Sequence, residues 1–288
     1  MIRPALGCLL ALLAAVCAQP APEKVTPALW QVEGPNGQRA WLFGTIHALP
    51  APVDWRSPKV DAALAASDRV VLEIAAINDQ KATARAFAAL ARSPGQPLLS
   101  RRIDPALRPQ LALVLRRAGL FESEFGATET WAAALTLAQR LQGANDSGYG
   151  IDRAIFSAAN GKPVGELEGA ARQLGLFDAL PESEQRDLLS AVVREVDAEP
   201  ADARNLAAAW GKGDTAAIEA ETRSGMMADP GLRAALLVAR NRAWADQLAA
   251  RLAKGEHPFV AAGAAHMAGP DGVPALLATR GFRVMRVQ

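Results

Sequence analysis

Two of the three histidines in this 288-residue chain follow an apolar run at the same offset from a glycine. His47 comes three residues after Gly44 in WLFGTIHALP, and His266 comes three residues after Gly263 in FVAAGAAHMAGPDG. Histidine is the commonest metal ligand and the usual acid–base group near neutral pH. Glycine lets the backbone turn sharply or approach a ligand closely. The repeated Gly-x-x-His spacing therefore indicates one site that uses both imidazoles.

Each of these histidines belongs to a β-loop-α-β pattern. The first has strand WLFGTI, His47, a loop with Asp54, a helix and strand RVVLEI; the second has strand FVAAGAA, His266, a loop with Asp271, helix VPALLATR and strand FRVMRV. If the two leading strands are parallel in one sheet, both histidines project from its carboxyl edge, where open α/β sheets usually bind ligands. Asp54 and Asp271 are either helix caps or partners that orient the histidines.

The strand patterns lie at the two ends of the chain and once in the middle. ALWQVEG and QRAWLFGTI flank the turn signal GPNG and predict a hairpin. Between about 79 and 254 the pattern is mainly helical and rich in Ala, Leu and Arg. We predict one α/β domain over 29–288. It has a mixed central sheet built from N- and C-terminal β-loop-α-β units, and the helical insertion caps it.

The first residues have the features of an export signal. Arg3 precedes the apolar stretch ALGCLLALLAAV, which is too short to span a bilayer comfortably. Small residues near Ala18 resemble a cleavage site, so we predict a signal peptide over 1–18 and a Pro-rich linker over 19–28. The alternative is a lipoprotein signal with Cys17 lipidated. The protein is expected to be exported, periplasmic or secreted, and attached to a membrane only if Cys17 carries a lipid.

Charge and cysteine content exclude several functions. The chain has 31 basic and 30 acidic residues and no basic run, which argues against nucleic acid as a partner. Both cysteines, Cys8 and Cys17, precede the predicted cleavage site, so a metal in the mature chain would need His, Asp or Glu ligands. G-x-S-x-G, H-E-x-x-H and phosphate-binding glycine loops do not occur in the sequence.

Four motifs occur in an order and spacing that resemble the TraB/GumN family: LFGTIHALP followed by DWR, then VVLE, GKPVGELE and FVAAGAAHMAGPDGVPALLATRGFRV. The resemblance covers the chain from about residue 29 to its end. That family is related to the animal TIKI proteins, which are described as metal-dependent proteases. The resemblance implies a divalent-metal hydrolase that uses the two Gly-x-x-His histidines and one acidic residue. Carried over by motif, these residues are His47, His266 and, in VVLE, Glu73.

The chemistry of these residues agrees with that implication. A carboxylate inside RVVLEIAA is costly to bury unless it is paired or bound to a metal, and we expect the Glu73 strand to lie beside the His47 strand. Two imidazoles and one carboxylate leave open positions for water and substrate around a cation. Manganese, cobalt and zinc all accept such ligands. The alternatives are a structural role for either histidine and an arginine partner for Glu73.

Further residues are candidates for the same site. Asp152, in GYGID, is either a helix cap or a fourth ligand or base. Of the two glutamates in PVGELEG, Glu166 and Glu168, only Glu168 matches the family's acidic position, where it is a candidate general base. Arg240 and Asn241, in ARNRAWA, match a family helix motif and either bind substrate or have a structural role.

The export signal, the paired Gly-x-x-His histidines and the family resemblance together predict an exported metal-dependent hydrolase, and the resemblance implies a peptide or protein substrate. One alternative is a non-catalytic protein of the cell envelope that binds a metal, haem or small ligand. Another is hydrolysis by a histidine base without a metal. The third histidine, His257, lies in a loop without a Gly-x-x partner, and we expect it to be exposed and outside the site.

Overall fold

The computed structural model describes residues 21–141, 147–195 and 200–288. The predicted signal peptide, 1–18, lies outside the described residues. None of the helices in the three described ranges has both the length and the apolar character needed to cross a membrane.

A six-stranded mixed sheet lies at the centre of the fold. The described strands are β1 (Glu23–Lys24), β2 (Leu29–Glu33), β3 (Arg39–Thr45), β4 (Val53–Asp54), β5 (Arg69–Leu72), β6 (Val164–Glu166), β7 (Pro258–Gly263) and β8 (Arg283–Arg286). The spatial order in the large sheet is β6-β5-β7-β3-β2-β8. The predicted hairpin is present as the antiparallel pair β2 and β3. A separate parallel pair joins β1 to β4, so part of the segment interpreted as a linker pairs with the loop after β3.

Helices make up most of the described chain between β5 and β7. The described α-helices are α1 (Pro58–Ala66), α2 (Gln80–Leu90), α3 (Arg108–Ala118), α4 (Thr130–Arg140), α5 (Ile151–Ala158), α6 (Ala170–Asp178), α7 (Glu182–Glu195), α8 (Pro200–Gly211), α9 (Thr215–Glu221), α10 (Pro230–Arg233), α11 (Ala239–Ala253) and α12 (Val273–Thr279). A π-helical turn, Ala234–Val238, joins α10 to α11. The predicted α/β class is confirmed.

The two Gly-x-x-His strands are parallel neighbours, which meets the condition for both histidines to project from one edge of the sheet. β3 pairs with β7, with Thr45 opposite Gly263, and both strands end at this pair. His47 and the short 3-10 turn Ala264–Met267, which carries His266, therefore leave the sheet at the same edge. Gly44 permits a close approach rather than a sharp turn, because a β-carbon on it would lie 3.3 Å from the Cα atom of Ala264.

The predicted pairing of the Glu73 strand with the His47 strand is wrong. β5 pairs with β6 and β7, and β7 separates it from β3. All six residues of β7 are buried, which suits a strand between two parallel neighbours. The chain therefore passes over β7 through α1, and Glu73, which directly follows β5, reaches the carboxyl edge beside β7.

Both roles predicted for Asp54 are wrong. The helix that follows it, α1, is capped by Ser57, whose side chain accepts a hydrogen bond from the Val60 amide. Asp54 is exposed in β4, and its carbonyl accepts from the Val25 amide. Asp54 lies three residues too early to cap a helix that begins at Pro58, and Asp152 and Asn241 are the residues that bind Nδ1 of the two site histidines.

The helical insertion has a hydrophobic core of its own that contains Trp131. It also contains a buried arginine. The fully buried Arg102 donates hydrogen bonds to three backbone carbonyls: Nε to Pro97 at 2.7 Å, Nη1 to Thr128 at 2.7 Å and Nη2 to Phe125 at 2.8 Å. This one side chain therefore cross-links the segment before α3 to the segment before α4.

Replacing Arg102 by leucine is expected to lower the free energy of unfolding by about 3 kcal/mol, because buried carbonyl oxygens lose a charged donor. Urea unfolding measures the change. The matched control is Arg101→Leu, since Arg101 is the exposed neighbour and its replacement should change stability little. Equal stabilities of the two variants would contradict the prediction.

Candidate active site

A pocket of about 240 Å³ opens where β3 and β5 end. Its lining includes His47, Glu73, Asp152 and Gln173. His266 is buried beside these residues with a relative exposure of 7%. The structure therefore brings both Gly-x-x-His histidines and the predicted glutamate to one edge of the sheet.

Asp152 orients His47. Its Oδ2 atom lies 2.7 Å from His47 Nδ1, and its Oδ1 atom accepts a 2.7 Å hydrogen bond from Thr45 Oγ1. Gly150 occupies the N-cap of α5, so Asp152 is not the cap. Because an ionised carboxylate only accepts hydrogen bonds, Nδ1 of His47 is the donor, and a neutral ring carries its lone pair on Nε2.

The pKa of His47 is raised to about 9. Burial is the largest influence and acts to lower the pKa, but attraction and hydrogen bonding from Asp152, together with Glu73, outweigh it. The His47 side chain is 66% exposed, which limits the penalty for charging the ring. The balance of these effects therefore raises the pKa of His47.

Asn241 orients His266. The Asn241 Nδ2 atom donates to the Asp271 carbonyl at 2.8 Å, so its Oδ1 atom faces His266 Nδ1, 2.5 Å away. His266 therefore donates through Nδ1 and carries a lone pair on Nε2. Burial is the main cause that lowers the pKa of His266 to about 3, and Arg240 adds to this effect. His266 is thus neutral near pH 7.

Asp271 supports this arrangement from the loop just before α12. Gly272 occupies the N-cap of that helix, so the cap role considered for Asp271 is wrong. Its carbonyl binds Asn241, while its carboxylate pairs with Arg233 at 2.9 Å. Asp271 has the alternative role, because its carbonyl holds Asn241, which in turn orients His266.

Glu73 directly follows β5 and is 5% exposed. Its Oε1 atom accepts from the Gly263 amide at 2.7 Å, and its Oε2 atom accepts from Arg240 Nη2 at 3.0 Å and from Gln173 Nε2 at 3.2 Å. Burial, the largest influence, acts to raise its pKa. The two site histidines, Arg240 and the amide hydrogen bond outweigh burial and lower the pKa to about 2.

Arg240 uses all of its guanidinium nitrogens in this cluster. Nε and Nη2 donate to the Glu168 carboxylate at 3.0–3.1 Å, and Nη1 donates to the Leu236 carbonyl at 3.0 Å. Nη1 also contacts His266 Nε2 at 3.1 Å, and Nη2 reaches Glu73. The guanidinium stacks 4.7 Å from the ring centroid of Trp244. The arginine partner considered for Glu73 is therefore present.

The predicted base and substrate-binding residues lie on the buried side of the site. The Glu168 side chain is 4% exposed and is paired with Arg240 and with the Trp244 indole. The Arg240 side chain is 11% exposed, and Asn241 is fully buried. In this arrangement the three residues hold other site residues in place.

Gly263 lies at the point where the predicted metal ligands converge. A methyl group placed on Gly263 would lie 3.4 Å from Glu73 Oε1, 3.5 Å from His47 Nε2 and 3.7 Å from His266 Cδ2. The glycine thus leaves a small space bordered by two imidazoles and one carboxylate, which is the donor set of many open metal sites.

The charge of the cluster also suits a cation. The carboxylates of Glu73, Glu168 and Asp152 and the guanidinium of Arg240 sum to two negative charges when both imidazoles are neutral, and to one when His47 is protonated, as it is below its pKa of about 9. Arg240 nevertheless contacts two of the three donors. Within the described ranges, no group of three His, Cys, Asp or Glu side chains has metal-binding geometry as it stands. The donors fit a divalent cation in type and charge, provided that Arg240 releases them.

Several site residues are missing from the sequence prediction. The positions of Thr45 and Trp244 in the sequence could have indicated that they belong to the site. Thr45 lies between Gly44 and His47, and Trp244 lies one helical turn after Arg240. Gln173 lies in α6 without a motif around it. His257, expected to be exposed, is half-buried because Nδ1 accepts from the Arg39 amide at 3.3 Å. It lies outside the site, as expected.

Fold and site together define an α/β protein with two histidines and a glutamate at the carboxyl edge of a mixed sheet. The profile of the TraB/PrgY/gumN family matches residues 28–286, and the chain belongs to this family. Neither a curated protein nor a solved structure gives a significant match to the chain.

The hydrogen bonds around His266 predict its tautomer. Nitrogen-15 NMR of the three histidines should show His266 with the proton on Nδ1. Asn241→Leu should lower the free energy of unfolding by about 2 kcal/mol, because the buried Nδ1 donor loses its acceptor, while the contact with the Arg240 guanidinium, which can only donate, keeps the lone pair on Nε2. Arg242→Leu, at an exposed position of the same helix, is the control. A wild-type His266 protonated on Nε2 would contradict this assignment.

Proposed function

We propose that this family member is an exported hydrolase that acts on a peptide or protein substrate and binds a divalent cation, manganese, cobalt or zinc. His47 Nε2, His266 Nε2 and the Glu73 carboxylate would hold the cation. The observation that carries the proposal is the convergence of these three groups around Gly263. Asp152 and Asn241 support it, because each engages the Nδ1 atom of one imidazole and so leaves Nε2 as the atom with which the neutral ring would bind a cation.

Each side chain has a defined task in this proposal. A bound divalent cation supplies Lewis acidity, which acidifies a coordinated water and polarises a carbonyl. Asp152 and Asn241 fix the two imidazoles. Gln173 and the Gly263 amide hold the Glu73 carboxylate at the floor of the pocket. The exposed face of His47 gives the substrate a path to the site.

Cation binding requires Arg240 to give up its contacts with His266 and Glu73. The guanidinium would keep its hydrogen bonds to Glu168 and to the Leu236 carbonyl, so its charge stays paired after the movement. Glu168 therefore lowers the free-energy cost of moving the buried Arg240 guanidinium. We assign Glu168 this role in place of a general base.

A metal-free hydrolase is the second candidate. The observation that favours it is that Arg240 already supplies a positive charge between Glu73 and His266. In that case the deprotonated form of His47, which predominates above its pKa of about 9, would act as the general base on water, since His47 is held by Asp152 and exposed to the pocket.

Wild-type protein is expected to bind about one divalent ion per chain and to hydrolyse peptides, and both properties should be lost in His47→Ala and His266→Ala. Elemental analysis after dialysis and a peptide-library assay measure the two properties. His257→Ala is the matched control, because His257 is the histidine outside the site. It should retain both.

The outcomes separate the candidates. Hydrolysis that persists in a strong chelator and is lost in His47→Ala supports the metal-free mechanism. Ion binding without cleavage of any peptide supports a binding protein of the cell envelope. Absence of both ion binding and hydrolysis in the wild type would refute the proposed hydrolase.

The double variant Arg240→Met/Glu168→Gln tests the competition between Arg240 and the cation. It removes one positive and one negative charge, so the net charge of the cluster is unchanged. We expect Mn²⁺ to bind about tenfold more tightly, because the guanidinium no longer occupies His266 and Glu73. Equilibrium dialysis measures the affinity, and Arg242→Met is the control. Weaker binding by the double variant would show that Arg240 supports the cation site.

A further inference from the structure

The lining of the pocket is partly apolar. Leu72, Ile74 and Ile77 line it together with His47 and Glu73. Ile74 and Ile77 lie in the turn between β5 and α2, are half-buried and do not pack into the hydrophobic core formed by the described residues. Their apolar surface therefore faces the pocket without contributing to a core, which suits an apolar group of a ligand.

Arg153 lines the same pocket. It is half-buried on α5, and its Nη1 atom donates to Asn78 Oδ1 at 2.6 Å, which fixes the guanidinium. Arg240 and Arg233 pair with carboxylates, whereas no carboxylate of the described ranges lies within ion-pair distance of Arg153. A positioned guanidinium therefore borders the pocket with its charge uncompensated by the described residues.

The size of the pocket limits what it holds. At about 240 Å³ it is smaller than the roughly 300–1,000 Å³ of typical small-molecule sites. Such a volume suits the end of a peptide better than an extended segment. An end that presents both an apolar group and a negative charge is a C-terminal residue with an apolar side chain.

We propose, resting on the hydrolase function above, that the pocket binds the C-terminal residue of a peptide. Arg153 binds the free carboxylate, for which a guanidinium provides two parallel donors, and Ile74 and Ile77 contact the side chain. The last peptide bond then lies beside His47 and Glu73. The oxygen of water bonds to its carbonyl carbon, the C–N bond breaks, and the two protons of water end on the new carboxyl group and the leaving amine.

Two matched substrates test this assignment: N-acetyl-alanyl-leucine with a free carboxylate, and its C-terminal amide. The wild type should prefer the free acid in kcat/KM by about tenfold or more, because a charge-assisted pair is lost with the amide. Arg153→Gln should remove this preference by lowering the rate on the acid alone, and Arg153→Lys should retain part of it. Arg172→Gln, at an exposed position on α6, is the control and should leave the preference unchanged.

A binding titration separates this inference from the hydrolase function. N-acetyl-leucine should bind the wild type, whereas Arg153→Gln should not bind it, and N-acetyl-leucinamide should bind neither protein. Equal binding of the acid and the amide, or equal hydrolysis of the two peptides, would overturn the carboxylate subsite and leave the hydrolase function standing. Carboxylate-selective binding without cleavage of either peptide would support the subsite and count against the hydrolase.

Discussion

The buried guanidinium of Arg240 is the interaction on which the geometry of the site depends. Glu73 and Glu168 have side chains that are 6% and 4% exposed, and two buried carboxylates so close together are costly unless a cation is shared between them. Arg240 reaches both from α11 and contacts His266 as well. One side chain therefore joins the end of β5, the loop after β6 and the turn after β7. A bound divalent cation would take over part of this task.

The two Gly-x-x-His motifs occupy equivalent places in the sheet but give their histidines different properties. His47 has a carboxylate partner and an exposed ring, and its pKa is raised. His266 has an amide partner and a buried ring, and its pKa is lowered. Because an amide carries no charge, Asn241 orients His266 without favouring its protonated form. The shared motif thus determines where each imidazole lies, and the hydrogen-bond partner of each imidazole helps to determine its protonation state.

Local patterns in the sequence were sufficient for the six strands of the large sheet, and the patterns together with the family resemblance singled out His47, His266 and Glu73, which the structure brings to one edge. The local patterns were insufficient for strand order, because the place of β7 between β3 and β5 depends on long-range burial that no local pattern contains. Arg240, Asn241 and Glu168 could be selected by motif, whereas their contacts could not. Those contacts depend on how α11 packs across the sheet edge. The contact of Gln173 with Glu73 depends in the same way on how α6 packs there.

The polarity of the pocket follows from how α5 begins. Gly150 approaches the His47 carbonyl so closely that a β-carbon there would collide with it, and the Ile151 amide donates to the Ile46 carbonyl at 2.9 Å. The next two side chains on the helix point about 100° apart, since a helix has about 3.6 residues per turn. Asp152 is therefore directed to His47 while its neighbour Arg153 borders the open pocket. The contact of Gly150 with the His47 carbonyl thus places the Asp152 carboxylate beside His47 and the Arg153 guanidinium at the wall of the pocket.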